Sequence, residues 1–106
     1  MPSRELLIVR RALATSPQVV RAQLRSWLTA WSWPDDDLHD VVSAADEAVS
    51  NVVDHAYRQQ PAPGDVHVHA WVTTRAALHR VVVSVVDRGR WRPVPVDPGY
   101  LSLIHI

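Results

Sequence analysis

The chain has 106 residues, no cysteine and a formal net charge of zero, eleven Lys plus Arg against eleven Asp plus Glu, every basic one an Arg. That length predicts one domain; the missing thiols exclude disulfides, thiolate metal centres and a cysteine nucleophile. The balanced charge argues against a sequence-independent grip on nucleic acid, which needs a basic surface, and the 47% apolar share is that of a folded chain rather than a disordered one.

The opening Met1-Pro2-Ser3-Arg4-Glu5 leads into an apolar run that Arg10 and Arg11 break too early for a signal peptide. No stretch approaches the roughly 20 apolar residues of a membrane span. The expectation is a soluble, cytoplasmic protein with no membrane partner. Residues 5–14 (ELLIVRRALA) predict a first strand, with Arg10-Arg11 blurring its alternation. Ser16-Pro17 predicts a helix start, Ser as N-cap and Pro at the first helical position. Val20, Leu24, Trp27, Leu28 and Trp31 then recur at steps of three and four, one apolar face of a helix reaching about residue 31.

Ser32-Trp33-Pro34 interrupts that pattern, and Asp35, Asp36 and Asp37 suit the positive end of a second helix. Its stripe is Leu38, Val41, Val42, Ala45, Val49, Val52, Val53 and Ala56, predicting helix over 34–57. Residues 59–65 (QQPAPGD) read as loop. Val66, Val68, Ala70 and Val72 alternate with His67, His69 and Trp71, a half-buried strand. A turn at 74–77 and a second strand over 78–87 make a hairpin; the remainder to Tyr100 reads as loop. The order strand, helix, helix, strand, strand predicts an α+β two-layer sandwich, helices on one face of a mostly antiparallel sheet.

Two features carry candidate chemistry. Glu47, Asn51 and His55 follow at i, i+4 and i+8, one face of the second helix flanking its apolar stripe. A carboxylate there can take a proton from a hydroxyl or a water, and an amide oxygen can ligate Mg²⁺. Spacing alone is also what a solvated helix face gives, and that is the commoner case. The second feature is Asp87-Arg88-Gly89 at the end of the valine-rich strand. Asp87 shares the parity of Val81, Val83 and Val85, so it points to their side. A carboxylate at the mouth of a core needs hydrogen-bond donors, such as the exocyclic amine of a purine, and Gly89 lets the backbone approach a flat ligand. Alone, it is equally a plain turn after a strand. His67 and His69, at i and i+2, lack an evident third metal ligand. Ser50 has no nucleophile-elbow glycines around it, which argues against a hydrolase triad.

Together the features resemble one family. The run from Asp46 and Glu47 through Asn51 to His55-Ala56-Tyr57 resembles the N box of the GHKL ATPases, in the form carried by anti-sigma serine kinases. Val85-Val86-Asp87-Arg88-Gly89 resembles their first glycine box, and a strand hairpin between the two is where the family has one. The resemblance covers about residues 16–100 and implies a Bergerat-type ATP-binding fold with ATP and Mg²⁺ as cofactors. It implies Glu47 as the general base toward a protein serine, Asn51 as the Mg²⁺ ligand, Asp87 as reader of the adenine amino group and Gly89 lining the base pocket. His55 adjoins the cofactor site without a sharp role. The family's second glycine box, Gly-x-Gly-Leu, cradles phosphates with its amides; here only Gly99 follows Gly89. The resemblance therefore implies a single domain over 1–100 lacking its C-terminal part. Residues 101–106 (LSLIHI) match nothing before them, resemble a frame read into adapter DNA, and are set outside the fold as a non-native tail.

The function this implies is an ATP-dependent serine kinase that phosphorylates or sequesters a sigma-factor regulator. Its partners would be a serine-bearing anti-anti-sigma protein or a sigma factor, and a homodimer is compatible. The rivals are a binding module without turnover and the ATPase part of a sensor histidine kinase; the latter is disfavoured by the short segment before the first strand.

Overall fold

The computed structural model describes residues 2–56, 62–87 and 101–105. In chain order the elements are β1 (Glu5–Arg11), α1 (Ser16–Ala30), α2 (Asp35–Asn51) running into a π-helical turn (Val52–Ala56), β2 (Asp65–Arg75), β3 (Leu78–Asp87) and β4 (Leu101–His105). The four strands form one sheet in the order β1-β2-β3-β4, each neighbour antiparallel. Both helices lie on one face, α1 against β1 and α2 against β3 and β4. This is the α+β two-layer sandwich that the order of elements predicts.

The alternation of β2 sets the layers. Val66, Val68, Ala70 and Val72 are buried against the helices, while His67, His69 and Trp71 stand half-buried on the open face. Val81, Val83 and Val85 of β3 continue the same face and meet Val20, Leu24 and Leu28 of α1 and Val41, Ala45 and Val49 of α2 in one core. Burying a Val or Leu side chain stabilises by about 1.5–3 kcal/mol, so this shared cluster holds helices to sheet.

Three local details depart from the sequence reading. Ser16 is not the N-cap of α1; Thr15 holds that position and makes no capping side-chain bond. The Ser16 hydroxyl instead accepts from the Leu13 N–H at 3.2 Å and donates to the Arg11 carbonyl, stapling the β1–α1 loop from a buried position. Strand β1 accordingly ends at Arg11, not near residue 14. Second, the helix of 34–57 is α-helical only to Asn51; from Val52 it widens into a π-turn, and Tyr57 lies outside the described residues. Hydrophobic periodicity cannot register that change, because Val52 stays buried through it. Third, residues 101–105, which the sequence reading set outside the fold, form β4 on the free edge of β3, with Val86 opposite Leu101 and Val82 opposite His105. An unpaired β3 edge would expose a row of backbone N–H and C=O groups, and the alternating Leu-Ser-Leu-Ile stretch is able to pair with it.

The α1–α2 connection is a Schellman motif. Ser32 N–H bonds the Thr29 carbonyl at 2.9 Å and Trp33 N–H the Leu28 carbonyl at 3.0 Å, satisfying the last carbonyls of α1. Ser32 carries it at φ 56, a region that favours glycine. Trp33 and Leu28 are both buried in the core, the apolar contact that accompanies this cap. At the other turn, Arg75 pairs with Leu78, so the β2–β3 hairpin has two loop residues, Ala76 and Ala77, at φ 51 and 63. That is the type I′ geometry matching strand twist. No helix among the described residues is long and apolar enough to cross a membrane.

Candidate functional site

Asp87 closes β3, on the sheet whose β3 and β4 carry α2. Because β2 and β3 are antiparallel, Asp87, the last residue of β3, lies opposite Val66 at the start of β2. The chain reaches β2 from the π-turn that closes α2, and Ala12, just after β1, donates to the Gly64 carbonyl there at 2.8 Å. Asp87 keeps the parity of Val81, Val83 and Val85 and is 1% exposed. It is on the helix side of the sheet, as its parity predicts. A carboxylate so placed loses its hydration and is stabilised only by polar partners at its own site.

Glu47 and Asn51 are exposed on α2. Ala45 and Val49, two residues before and after Glu47, are fully buried, and two residues are about 200° of helix. The Glu47–Asn51 ridge therefore runs opposite the core stripe; the expectation that it flanks the stripe is corrected. His55 is also exposed, but it sits in the π-turn, whose i→i+5 pattern turns less per residue than an α-helix. It therefore does not stack over Asn51 as an i+4 neighbour would. Such single-turn π segments are frequent at functional sites. The structure thus places Asp87 in the core, on the helix side of the sheet, and Glu47 and Asn51 at the surface of α2. Gly89, with Arg88, Arg90, Trp91 and Arg92, lies outside the described residues.

Sequence reasoning missed a pair beside Glu47. Arg21 of α1 donates to Asp46 of α2 at 2.7 Å, both side chains partly exposed. It ties the two helices one residue before Glu47. Asp46 lay inside the recognised motif, but nothing in helical periodicity points to Arg21 as its partner. On the open face, His69 lies 3.9 Å from Glu5 and 4.7 Å from the Trp71 ring. Among the described residues no group of three or more His, Cys, Asp or Glu is arranged to hold a metal ion.

A family model described as histidine kinase-like ATPase domain matches residues 10–100. Among solved structures, the crystal structure of the RsbU and RsbW domains of Rv1364c from Mycobacterium tuberculosis superposes with a TM-score of 0.74 at 28% identity. The match takes in 98% of this chain and 32% of that one, so the chain spans about a third of the length of the structure it resembles.

Proposed function

Because this chain belongs to the histidine kinase-like ATPase domain family, we propose that it is the nucleotide-binding unit of a serine kinase that phosphorylates or sequesters a sigma-factor regulator. The observation that carries the reading is the buried Asp87 carboxylate, on the side of the sheet where α2 lies. A dehydrated acceptor beside a core suits one edge-on ligand group, the exocyclic amine of adenine. The residues fit ATP and Mg²⁺ in kind: Asn51 offers an accessible amide oxygen to a hard cation, and Glu47 an accessible carboxylate. Mg²⁺, when bound, neutralises charge on the phosphates.

In this reading Asn51 ligates the cation, Glu47 accepts the proton of the attacking serine hydroxyl, and Gly89 lines the base pocket. His55 closes the α2 end of the cofactor site. The Arg21–Asp46 bridge fixes α2 against α1, so Glu47 is presented from a held helix. Similarity to the RsbU and RsbW domains supports a place in sigma-factor regulation, with a serine-bearing antagonist protein or a sigma factor as partner.

The test is phosphate transfer from ATP to a serine-bearing antagonist, measured in the protein as its gene encodes it. Glu47→Ala should lower turnover by about 10²–10⁴-fold and leave ATP affinity in place, whereas Asp87→Asn should weaken ATP binding itself. Near-normal turnover in Glu47→Ala refutes the base assignment. A wild type that binds the antagonist and never phosphorylates it establishes a binding module instead.

A further inference from the structure

The opposite end of the sheet carries a second constellation that the nucleotide site does not use. β3 begins there, nine residues before Asp87, about 30 Å away at the rise of an antiparallel strand. A cleft of about 600 Å³ opens at the β2–β3 hairpin, lined by Thr73, Thr74, Arg75, Leu78, His79 and Arg80. None of these is acidic. Among the described residues no carboxylate is paired with Arg75 or Arg80.

The hairpin is held from its helix-side face, where Thr74 and His79 stand by the same alternation that buries Val72 and Val81. Arg4 Nη1 donates to Thr74 Oγ1 at 3.2 Å, and Thr74 Oγ1 lies 3.0 Å from His79 Nδ1. The His79 ring is 5.4 Å from Trp31 at the end of α1, and the Arg4 guanidinium sits 5.7 Å over that indole. Trp31 and Trp27 in turn donate to the Ser3 carbonyl, at 3.0 and 2.7 Å. The N-terminal segment, α1 and the hairpin are thereby locked together, so the two free guanidinium groups project from a fixed base. Beside them Leu78 is 74% exposed, the most exposed large apolar side chain of the described residues.

Like charges around a cleft focus field and attract the opposite sign, and guanidinium forks match carboxylates in pairs. A small inorganic anion would use the arginines and leave Leu78 idle. A peptide alternating carboxylates with an aliphatic side chain uses both. We propose that the β2–β3 hairpin tip is a docking surface for an acidic segment of a partner protein, with carboxylates on Arg75 and Arg80 and an aliphatic side chain on Leu78.

The test is fluorescence anisotropy of a labelled peptide of sequence Glu-Leu-Glu-Glu-Leu-Glu, titrated with the 106-residue chain at low ionic strength. The wild type binds it, and Arg75→Glu/Arg80→Glu weakens binding by roughly tenfold or more. Arg75→Gln/Arg80→Gln, which removes charge without reversing it, weakens it in the same direction, and Leu78→Ser also weakens it. Arg10→Glu/Arg25→Glu, an equal charge change at exposed positions elsewhere, leaves binding unchanged. The proposal is overturned by a wild type that does not bind, by equal loss in the control pair, which is bulk charge alone, or by no loss in the tip variants. Displacement by millimolar inorganic phosphate together with indifference to Leu78→Ser would also overturn it, in favour of a simple anion site.

Discussion

The hairpin tip makes a sharp test of the backbone geometry. Ala76 and Ala77 both stand at positive φ, where an L-residue with a Cβ is disfavoured by about 1–2 kcal/mol. Type I′ turns prefer Asn-Gly at these two positions, Asn because it tolerates the left-handed region and Gly because it has no Cβ. Replacing Ala77 by Gly removes the clash but adds about 0.5–1 kcal/mol of unfolded-state entropy, leaving a net gain of roughly half to one kcal/mol. Ala76→Asn adds a gain without the glycine entropy. The double variant should therefore be more stable by about 1–2 kcal/mol, and each kcal/mol raises Tm by about 4–8 °C in a domain of this size. Thermal and urea unfolding followed by circular dichroism measure it, with the urea slope unchanged. An unchanged or lowered Tm would refute the two-residue turn and with it the Arg75–Leu78 register.

Ser32→Gly relieves the left-handed cap of α1 and should stabilise by about 0.5–1 kcal/mol, read in the same unfolding assay; Ser32→Val should destabilise. A double-mutant cycle with Arg21→Ala and Asp46→Ala should give a coupling of no more than about 1 kcal/mol, since the two side chains are 40% and 32% exposed and open to screening, and it should shrink in high salt. Leu24→Ala, at a fully buried position between α1 and the sheet, should cost about 2–5 kcal/mol. The 106-residue polypeptide has no glycine-rich phosphate cradle, only Gly64, Gly89 and Gly99; one charge-assisted bond at Asp87 contributes only about 1.5–3 kcal/mol. Calorimetry should find ATP–Mg²⁺ binding no tighter than about millimolar, and a low-micromolar value would mean the phosphates meet another set of donors.

The sequence spoke most clearly where burial is periodic. Val66, Val68, Ala70 and Val72 declare a strand face, and Val20, Leu24 and Leu28 a helix face, because the core demands apolar side chains at those steps and little else does. The parity of Asp87 was legible for the same reason. What periodicity cannot carry was missed. The π-turn keeps Val52 buried, so its apolar stripe looks α-helical. The wheel position of Glu47 opposite the stripe required counting from Ala45 and Val49, not only from Asn51 and His55. Ser16 looks like a helix cap by residue type, yet its hydroxyl has a nearer carbonyl at Arg11. The tip of the hairpin has neither Asn nor Gly to announce the turn, and the Trp31–His79–Thr74–Arg4 chain joins residues far apart in sequence.

The pairing of β1 with β2 has a consequence for how the chain assembles. Glu5 finds Trp71, 66 positions later, and Arg11 finds Asp65, so the two helices lie inside the loop that this pairing closes. The β2–β3 hairpin needs a loop of only two residues. Local closures form in microseconds, whereas distant ones first lose the entropy of a long loop. The hairpin and the two helices should therefore form early, and β1 should lock last, although it is made first on the ribosome. Until Asp65–Arg75 has emerged, Leu6 and Ile8 have no strand to join. In pulsed hydrogen exchange, the amides of β2 facing β3 should gain protection before those facing β1.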